Sequence, residues 1–138
     1  MNTKLTAIIV SYNSQDTIGS ALSSLAPAHE SGLIECVVVD NASEDKTVGV
    51  VQQYPWATLL QNDRNMGFGT ACNRGLHHAN TDYVMFMNPD AIIPYADLAA
   101  LVRFLDAHPA AGMVAPAVIE ADGTFQTAGA LPTPVDIL

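Results

Sequence analysis

Four stretches of apolar residues, each as long as a β-strand, recur in the first 90 positions of the chain. They occupy residues 5–12, 35–40, 57–62 and 82–87. Their apolar residues follow one another instead of alternating with polar ones, which is typical of strands covered on both faces. The pattern therefore predicts four buried strands.

Between and after these strands, apolar residues recur at the spacing of a helix. The predicted stripes are Ile18, Ala21, Leu22 and Leu25; Val48 and Val51; Phe68, Cys72, Leu76 and Ala79; and Leu98, Leu101, Val102 and Leu105. We expect Ser14 or Asp16 to cap the first helix and Ser43 to cap the second. Pro55 and Pro109 should end the second and fourth helices.

Strands that alternate with helices of about ten residues predict βαβ units. The expected fold class is α/β, with a three-layer αβα arrangement around a mainly parallel sheet. A chain of 138 residues fits one domain, residues 1–138. Later, Asp122 and Gly123 predict a hairpin turn between two short strands. The tail, residues 130–138, resembles a segment that stops before its next element.

Composition narrows the classes of function. Apolar residues make up 49% of the chain and charged residues 14%, which favours a packed core over disorder. The net charge of −9 argues against a nucleic-acid partner. We expect no membrane span, because no apolar run reaches roughly 20 residues. A cytoplasmic location is expected, or the inner membrane face for the full-length protein. Cys36 and Cys72 are expected to be reduced core residues.

Polar residues follow each predicted strand. The segments are "SYNS" at 11–14, "DNAS" at 40–43, "NDRNMGFG" at 62–69 and "NPDA" at 88–91. In parallel α/β sheets, ligands bind beyond the carboxyl ends of the strands, where neighbouring loops meet. We therefore expect a ligand site in these four segments.

Two of these segments allow both a ligand role and a structural role. Asp40 can accept a hydrogen bond from a nucleobase imide or a ribose hydroxyl, or it can form an Asx turn with Asn41 and Ser43. Gly67 and Gly69 precede a helix and could cradle a phosphate. A plain turn explains them equally well, because the third glycine of the dinucleotide-binding motif is missing.

Asp90 follows a predicted strand directly, behind Asn88 and Pro89. It resembles half of a site for Mg²⁺ or Mn²⁺, which take one or two carboxylates together with substrate phosphate oxygens. The alternative is a turn that only ends the strand. Tyr12 and Asn13 either contact a base or pack at the end of their strand.

Taken in order, these motifs resemble the nucleotide-sugar-binding half of an inverting family 2 glycosyltransferase, with the Rossmann-like GT-A nucleotide-diphospho-sugar transferase fold. The matching segments are "AIIVSYNS" (7–14), "VVVDNASEDKT" (37–47), "NDRNMGFGTACNRG" (62–75), "YVMFMNPDA" (83–91) and "VAPAVIEADGTFQ" (114–126). The resemblance implies transfer of a sugar from a nucleoside diphosphate to a saccharide or lipid-linked acceptor, as in cell-surface polysaccharide biosynthesis. It also implies Mg²⁺ or Mn²⁺ as cofactor.

The resemblance further implies which residues hold the donor. They are Ser11, Tyr12, Asn13, Asp40, Asn41, Arg64, Asn65, Gly67, Asn73 and Asn88, with Asp90 as the metal ligand. Tyr12 would line the base pocket and Asp40 would accept from the base. The loop of Arg64, Asn65 and Gly67 would lie against the nucleoside and the phosphates.

The segment 88–90 stands where the family has its DxD motif. Asp90 would coordinate the metal that bridges the two phosphates, while Asn88 is uncharged and could bond a ribose hydroxyl. Members that resemble rhamnosyltransferases often carry this Asn-Pro-Asp form. This form favours a dTDP-rhamnose-like donor, with a UDP-sugar as the alternative.

The resemblance also implies a general base for the acceptor hydroxyl, usually an Asp well downstream of the metal motif. Asp97, Asp106 and Asp122 fit a helix start, a helix surface and a turn better than that role. We therefore expect a donor-binding portion that lacks the catalytic base and transfers sugar poorly or not at all on its own.

Two rival functions remain at this stage. A non-catalytic α/β regulatory module that binds a nucleotide or Mg²⁺, such as a receiver-like domain, would need an acidic pair after the first strand and a later Lys. A nucleotidyltransferase would need a glycine-rich basic loop there. Residues 11–19 supply neither.

Overall fold

The computed structural model describes residues 3–120 and 122–126, so the expectation for the tail at 130–138 falls outside it. Strands and helices alternate along most of that range. In chain order they are β1 (Leu5–Ser11), α1 (Ile18–Glu30), β2 (Ile34–Asp40), α2 (Thr47–Val51), β3 (Ala57–Gln61), α3 (Phe68–Leu76), β4 (Tyr83–Met87), α4 (Tyr95–Ala107), β5 (Val118–Ile119) and β6 (Phe125–Gln126). The four strands predicted in the first 90 residues are confirmed.

The first four strands form one parallel sheet in the order β3-β2-β1-β4. Ser11 at the end of β1 pairs with Asp40 at the end of β2, which in turn pairs with Gln61 at the end of β3. From β1, the chain fills one side of the sheet with β2 and β3, then returns to the other side with β4. Such a reversal of strand order opens a crevice at the carboxyl ends of the two strands.

Helices cover both faces of this sheet. On one face α1, α2 and α4 bury a large cluster that includes Ile9, Leu22, Val38, Val51 and Leu98. On the other face α3 packs through Ala71 and Cys72 against Val10, Val37 and Val39. The predicted α/β class and its three layers are confirmed.

Both cysteines are free and buried, as predicted. Burial raises the pKa of the Cys36 thiol to about 12, because desolvation disfavours the thiolate. Since thiolates are the reactive form, Cys36 behaves as a small apolar core residue.

Coverage on both faces holds for β1 and β2 but not for the two outer strands. β1 is buried along its whole length, whereas β3 and β4 are mostly half-buried. Phe86 in β4 is 51% exposed. The prediction of burial on both faces is wrong for β3 and β4, each of which has a neighbouring strand on one side only in the described residues.

The stripe predicted for α3 is also partly wrong. Phe68 and Leu76 are 58% and 44% exposed, and the buried face consists of Ala71, Cys72 and Gly75. Small residues face the sheet because α3 lies close to it. A Cβ atom on Gly75 would come within 2.6 Å of Ile8 Cγ2.

Neither Ser14 nor Asp16 caps α1, contrary to the prediction. The helix begins after Thr17 without a side-chain cap. The backbone carbonyl of Ser14 instead accepts hydrogen bonds from the N–H groups of Thr17 and Ile18, so a backbone turn satisfies the donors that a cap would otherwise take.

The predicted hairpin turn is confirmed. β5 and β6 pair in antiparallel fashion, and Gly123 between them has φ 86°, a backbone conformation that favours glycine. Helices α2 and α4 end before Pro55 and Pro109. Within the described residues, no helix has the length and apolar content needed to cross a membrane.

We expect Gly75→Ala to lower the free energy of unfolding by about 1 to 2 kcal/mol, because overpacking forces α3 away from the sheet. Gly49→Ala is the matched control. A Cβ there meets nothing within 4 Å, so the helix should gain up to about 1 kcal/mol. Urea titration of both variants measures the effect. Equal stability of the two would contradict the close contact.

Candidate functional site

The carboxyl ends of the four parallel strands meet at one edge of the sheet, and direct backbone bonds join three of them. The N–H of Asn41 donates to the carbonyl of Ser11 at 2.8 Å, and the N–H of Asn62 donates to the carbonyl of Asp40 at 2.8 Å. The loops after β1, β2 and β3 therefore leave the sheet side by side.

Asp40 is a buried carboxylate at this edge, only 1% exposed. Its Oδ1 accepts hydrogen bonds from the hydroxyls of Ser11 at 3.1 Å and Ser43 at 2.6 Å. Its Oδ2 accepts from the N–H of Ser43 at 2.9 Å. The turn role predicted as one alternative for Asp40 is thus present, and among these contacts Oδ2 keeps one lone pair for a further donor.

Ser43 is not the cap of α2, so that prediction is wrong. The helix begins after Lys46, and the hydroxyl of Ser43 is used elsewhere. It donates to Asp40 and accepts from the N–H of Asn13 at 2.9 Å. Ser43 thereby ties the loop after β2 to the loop after β1.

Asn13 strengthens the same connection. It has φ 48°, and its side-chain oxygen accepts from the N–H of Glu44 at 2.9 Å. Of the two neighbours predicted to contact a base, Asn13 thus makes protein contacts. Tyr12 is 48% exposed and presents its ring to solvent.

A second bridge joins the same two loops. Asp45 accepts from the hydroxyl of Thr47 at 2.5 Å, from the N–H of Thr47 at 2.9 Å and from the N–H of Gln15 at 3.2 Å. The hydroxyl of Thr47 in turn accepts from the N–H of Ser14 at 2.7 Å. Desolvation acts to raise the pKa of Asp45, but the hydrogen bonds outweigh it and hold that pKa below its ordinary value.

Asn41 reaches in the opposite direction, towards the loop after β3. It is 3% exposed, and its Oδ1 accepts from Asn62 Nδ2 at 2.8 Å and from the N–H of Met66 at 3.0 Å. Its Nδ2 donates to Asn65 Oδ1 at 3.0 Å. Asn65 Oδ1 also accepts from the N–H of Gly67 at 3.0 Å.

The other residues predicted after β3 lie at the surface. Arg64, Asn65 and Gly67 are exposed, and Gly67 has φ 80° as the chain enters α3. Asn73 is also exposed. It lines a groove of about 310 Å³ whose walls are Asn62, Met66, Thr70, Asn73, Arg74 and His77.

Asn88 and Asp90 stand exposed at the end of β4. Met87 pairs with Ile9 of β1, so both residues follow β4 at the crevice where the strand order reverses. In residues 3–120 and 122–126, no three His, Cys, Asp or Glu side chains converge on a common point. A cation at Asp90 would accordingly draw its other ligands from a bound phosphate and from water.

The sequence reasoning missed part of this edge. Asn62 is buried although it follows a strand, and its Oδ1 accepts from the guanidinium of Arg74, which also donates to the carbonyl of Gln61 at 2.7 Å. Asp45 and Thr47 were missed too. The spacing Asp-x-Thr is a short-range turn signal, whereas nothing in the local sequence indicates the contact between Asn62 and Arg74.

The sequence profile described as Glycosyl transferase family 2 matches residues 6–133, which is nearly the whole chain. The chain belongs to glycosyl transferase family 2. The resemblance to family 2 inferred from the motifs is confirmed.

Two curated relatives illustrate the range of the family. The N-acetylglucosaminyl-diphospho-decaprenol L-rhamnosyltransferase of Mycobacterium tuberculosis is 29% identical over 136 residues, covering 90% of this chain and 44% of the relative. The succinoglycan biosynthesis protein ExoO of Rhizobium meliloti is 34% identical over 105 residues, covering 75% of this chain and 30% of the relative. The family 2 chain thus spans less than half the length of either relative.

Solved structures show the same fold. S. aureus TarS 1-349 in complex with UDP-GlcNAc superposes with a TM-score of 0.70 at 32% identity, covering 78% of this chain and 32% of that one. The mannosyltransferase PcManGT from Pyrobaculum calidifontis, in complex with GDP-Man and Mn²⁺, gives 0.70 at 28% identity, covering 76% and 33%. The GT-A expectation for this family 2 chain is confirmed.

The lowered pKa of Asp45 predicts a pH-dependent contribution to stability. A carboxylate with a lowered folded-state pKa stabilises the fold above its unfolded-state pKa, and this contribution is lost as the pH falls through the lowered value. We expect Asp45→Asn to lower the unfolding temperature at pH 7, and the gap to wild type to shrink as the pH falls towards 3. A gap independent of pH in thermal unfolding would contradict this role.

Proposed function

We propose that this chain binds a nucleoside-diphosphate sugar at the carboxyl ends of β1 to β4 and holds it for glycosyl transfer. The observation that carries the proposal is the reversal of strand order between β1 and β4, because α/β sheets bind ligands in the crevice at such a point. Membership of family 2 supports the same site. So do the related structures with UDP-GlcNAc and GDP-Man.

In this proposal Asp40 and Tyr12 recognise the base. The remaining lone pair of Asp40 Oδ2 suits the imide N–H of thymine or uracil, since an ionised carboxylate only accepts. The half-exposed ring of Tyr12 offers a face for stacking. Both dTDP-rhamnose and a UDP-sugar fit this chemistry, and the relative from Mycobacterium tuberculosis is named a rhamnosyltransferase.

We propose that Asp90 would hold Mg²⁺ or Mn²⁺ and that Asn88 would bond a ribose hydroxyl of the donor. A chain with a net charge of −9 attracts a dianionic diphosphate poorly, and a divalent cation would supply the missing positive charge. When bound, the metal stabilises the departing diphosphate. The PcManGT structure with Mn²⁺ supports this assignment.

We place the general base of an inverting reaction outside these 138 residues. Asp106 Oδ1 accepts from the hydroxyl of Tyr83 at 2.8 Å and lies 3.5 Å from Lys4, and Asp122 Oδ1 accepts from Thr124. Asp97 lies in the first turn of α4. The acceptor in this proposal is a saccharide or a lipid-linked sugar on the cytoplasmic side of a membrane.

Calorimetric titration with UDP, dTDP and GDP, each with Mn²⁺ or with EDTA, tests the donor site. We expect at least one nucleoside diphosphate to bind, with affinity about tenfold or more higher in Mn²⁺, since the metal offsets the repulsion between carboxylate and phosphate. If none of the three binds in either condition, the proposed function is wrong.

A matched pair of variants assigns the metal effect. Asp90→Asn should abolish the gain from Mn²⁺, because it removes the charged ligand. Asp97→Asn makes the same chemical change on α4 and should keep the gain. Equal behaviour of the two variants would contradict the role of Asp90.

The position of the base gives a separate prediction. The 138-residue chain, supplied with donor, Mn²⁺ and acceptor, should bind donor yet show sugar transfer near the uncatalysed rate. A product assay by mass spectrometry measures it. Turnover by the isolated chain would show that a base lies within these residues after all.

A further inference from the structure

We infer that Asn41 is a positioning residue that sets the place of the β3–α3 loop (residues 62–67) in the donor site. The inference rests on the proposed function, because it takes this loop to lie against the diphosphate. It assigns Asn41 a role through the loop, in place of the direct donor contact implied by the family resemblance. Its buried amide is already occupied by protein groups.

The orientation of this amide follows from backbone donors. The N–H of Met66 can only donate, so the Asn41 atom at 3.0 Å from it must be the side-chain oxygen. The side-chain nitrogen of Asn41 then faces Asn65. The N–H of Gly67 fixes the Asn65 atom at that contact as an oxygen by the same logic.

Asn41 therefore needs both halves of its amide. Its oxygen receives donors from Asn62 and Met66, and its nitrogen supplies a donor to Asn65. An aspartate at this position would set a carboxylate oxygen against Asn65 Oδ1, with no proton between two acceptors. The neighbouring Asp40 has the opposite requirement, because all three of its described partners are donors.

The network also continues beyond Asn41 into α3. Asn62 receives the guanidinium of Arg74, so the loop is held at its start by Asn62 and at its end by Met66 and Gly67. Asn62, Asn65 and Met66 all bond to the buried amide of Asn41. A change there therefore loosens the end of the loop, whereas its start keeps the bond from the Asn62 N–H to the Asp40 carbonyl. Asp40 and Ser43 hold the loop after β1 by a separate set of bonds.

The test compares Asn41→Asp with Asn80→Asp, which makes the same change on an exposed residue outside the network. For Asn41→Asp we expect amide exchange at Gly67, measured by NMR, to speed up about tenfold or more, because the new carboxylate repels Asn65 Oδ1, which accepts from the Gly67 N–H. The affinity for the nucleoside diphosphate with Mn²⁺ should fall about tenfold, while that for the nucleoside alone should change less than about threefold. Asn80→Asp should match wild type in all three measurements.

A second set of variants tests the same network if Asn41→Asp folds poorly. Asn65 is exposed, so Asn65→Ala removes the bonds to Asn41 and Gly67 without emptying a buried position. It should speed exchange at Gly67. Asn65→Asp keeps an acceptor for both donors and should restore slow exchange. Ser43→Ala should leave exchange at Met66 and Gly67 unchanged.

The outcomes distinguish a failure of the positioning role of Asn41 from a failure of the proposed donor binding. Wild-type exchange at Gly67 in a folded Asn41→Asp protein overturns the positioning role, and so does wild-type exchange there in Asn65→Ala. An equal loss of nucleoside and diphosphate affinity also overturns it, since that would make Asn41 a general stabiliser. If wild type binds no nucleoside diphosphate, the proposed function fails, while the exchange rates still decide whether Asn41 holds the loop.

Discussion

The burial of one carboxylate, that of Asp40, determines how the whole carboxyl edge of the sheet is built. A buried carboxylate is tolerated only when hydrogen bonds replace the lost water. Ser11 and Ser43 supply those bonds; Ser11 is the last residue of β1, and Ser43 lies in the loop after β2. The loops after β1 and β2 are therefore arranged around Asp40 before any ligand is considered.

The adjacent residues Asp40 and Asn41 bond to different parts of this edge. The carboxylate of Asp40 accepts hydrogen bonds from Ser11 and Ser43. The amide of Asn41 accepts from, and donates to, residues of the β3–α3 loop. Ala42 follows with φ 65°, a conformation that costs a residue other than glycine about 1 kcal/mol or more. The bonds on both sides hold the backbone in this strained turn, which is how a site can be shaped in advance of its ligand.

The four strands could be predicted because each is a run of mainly apolar residues, which in β1 and β2 reflects burial on both faces of the sheet. The stripe of α3 could not, because the close approach at Gly75 places small residues against the sheet and turns Phe68 outward. The polar segments that follow the strands also correctly predicted that polar side chains lie at the carboxyl edge of the sheet. Which donor meets which acceptor there depends on contacts such as that between Asn13 and Ser43, 30 positions apart, and local sequence contains no trace of that choice.

The outer strand β4 has a consequence for how the chain behaves in solution. In residues 3–120 and 122–126, β4 pairs with β1 on one side only, and half of the surface of Phe86 is exposed. Open apolar edges of this kind are templates on which a second chain can add a strand. Mutual repulsion between molecules that each carry nine excess negative charges opposes such contacts, and salt weakens that repulsion. The isolated chain should therefore resist aggregation best at low ionic strength.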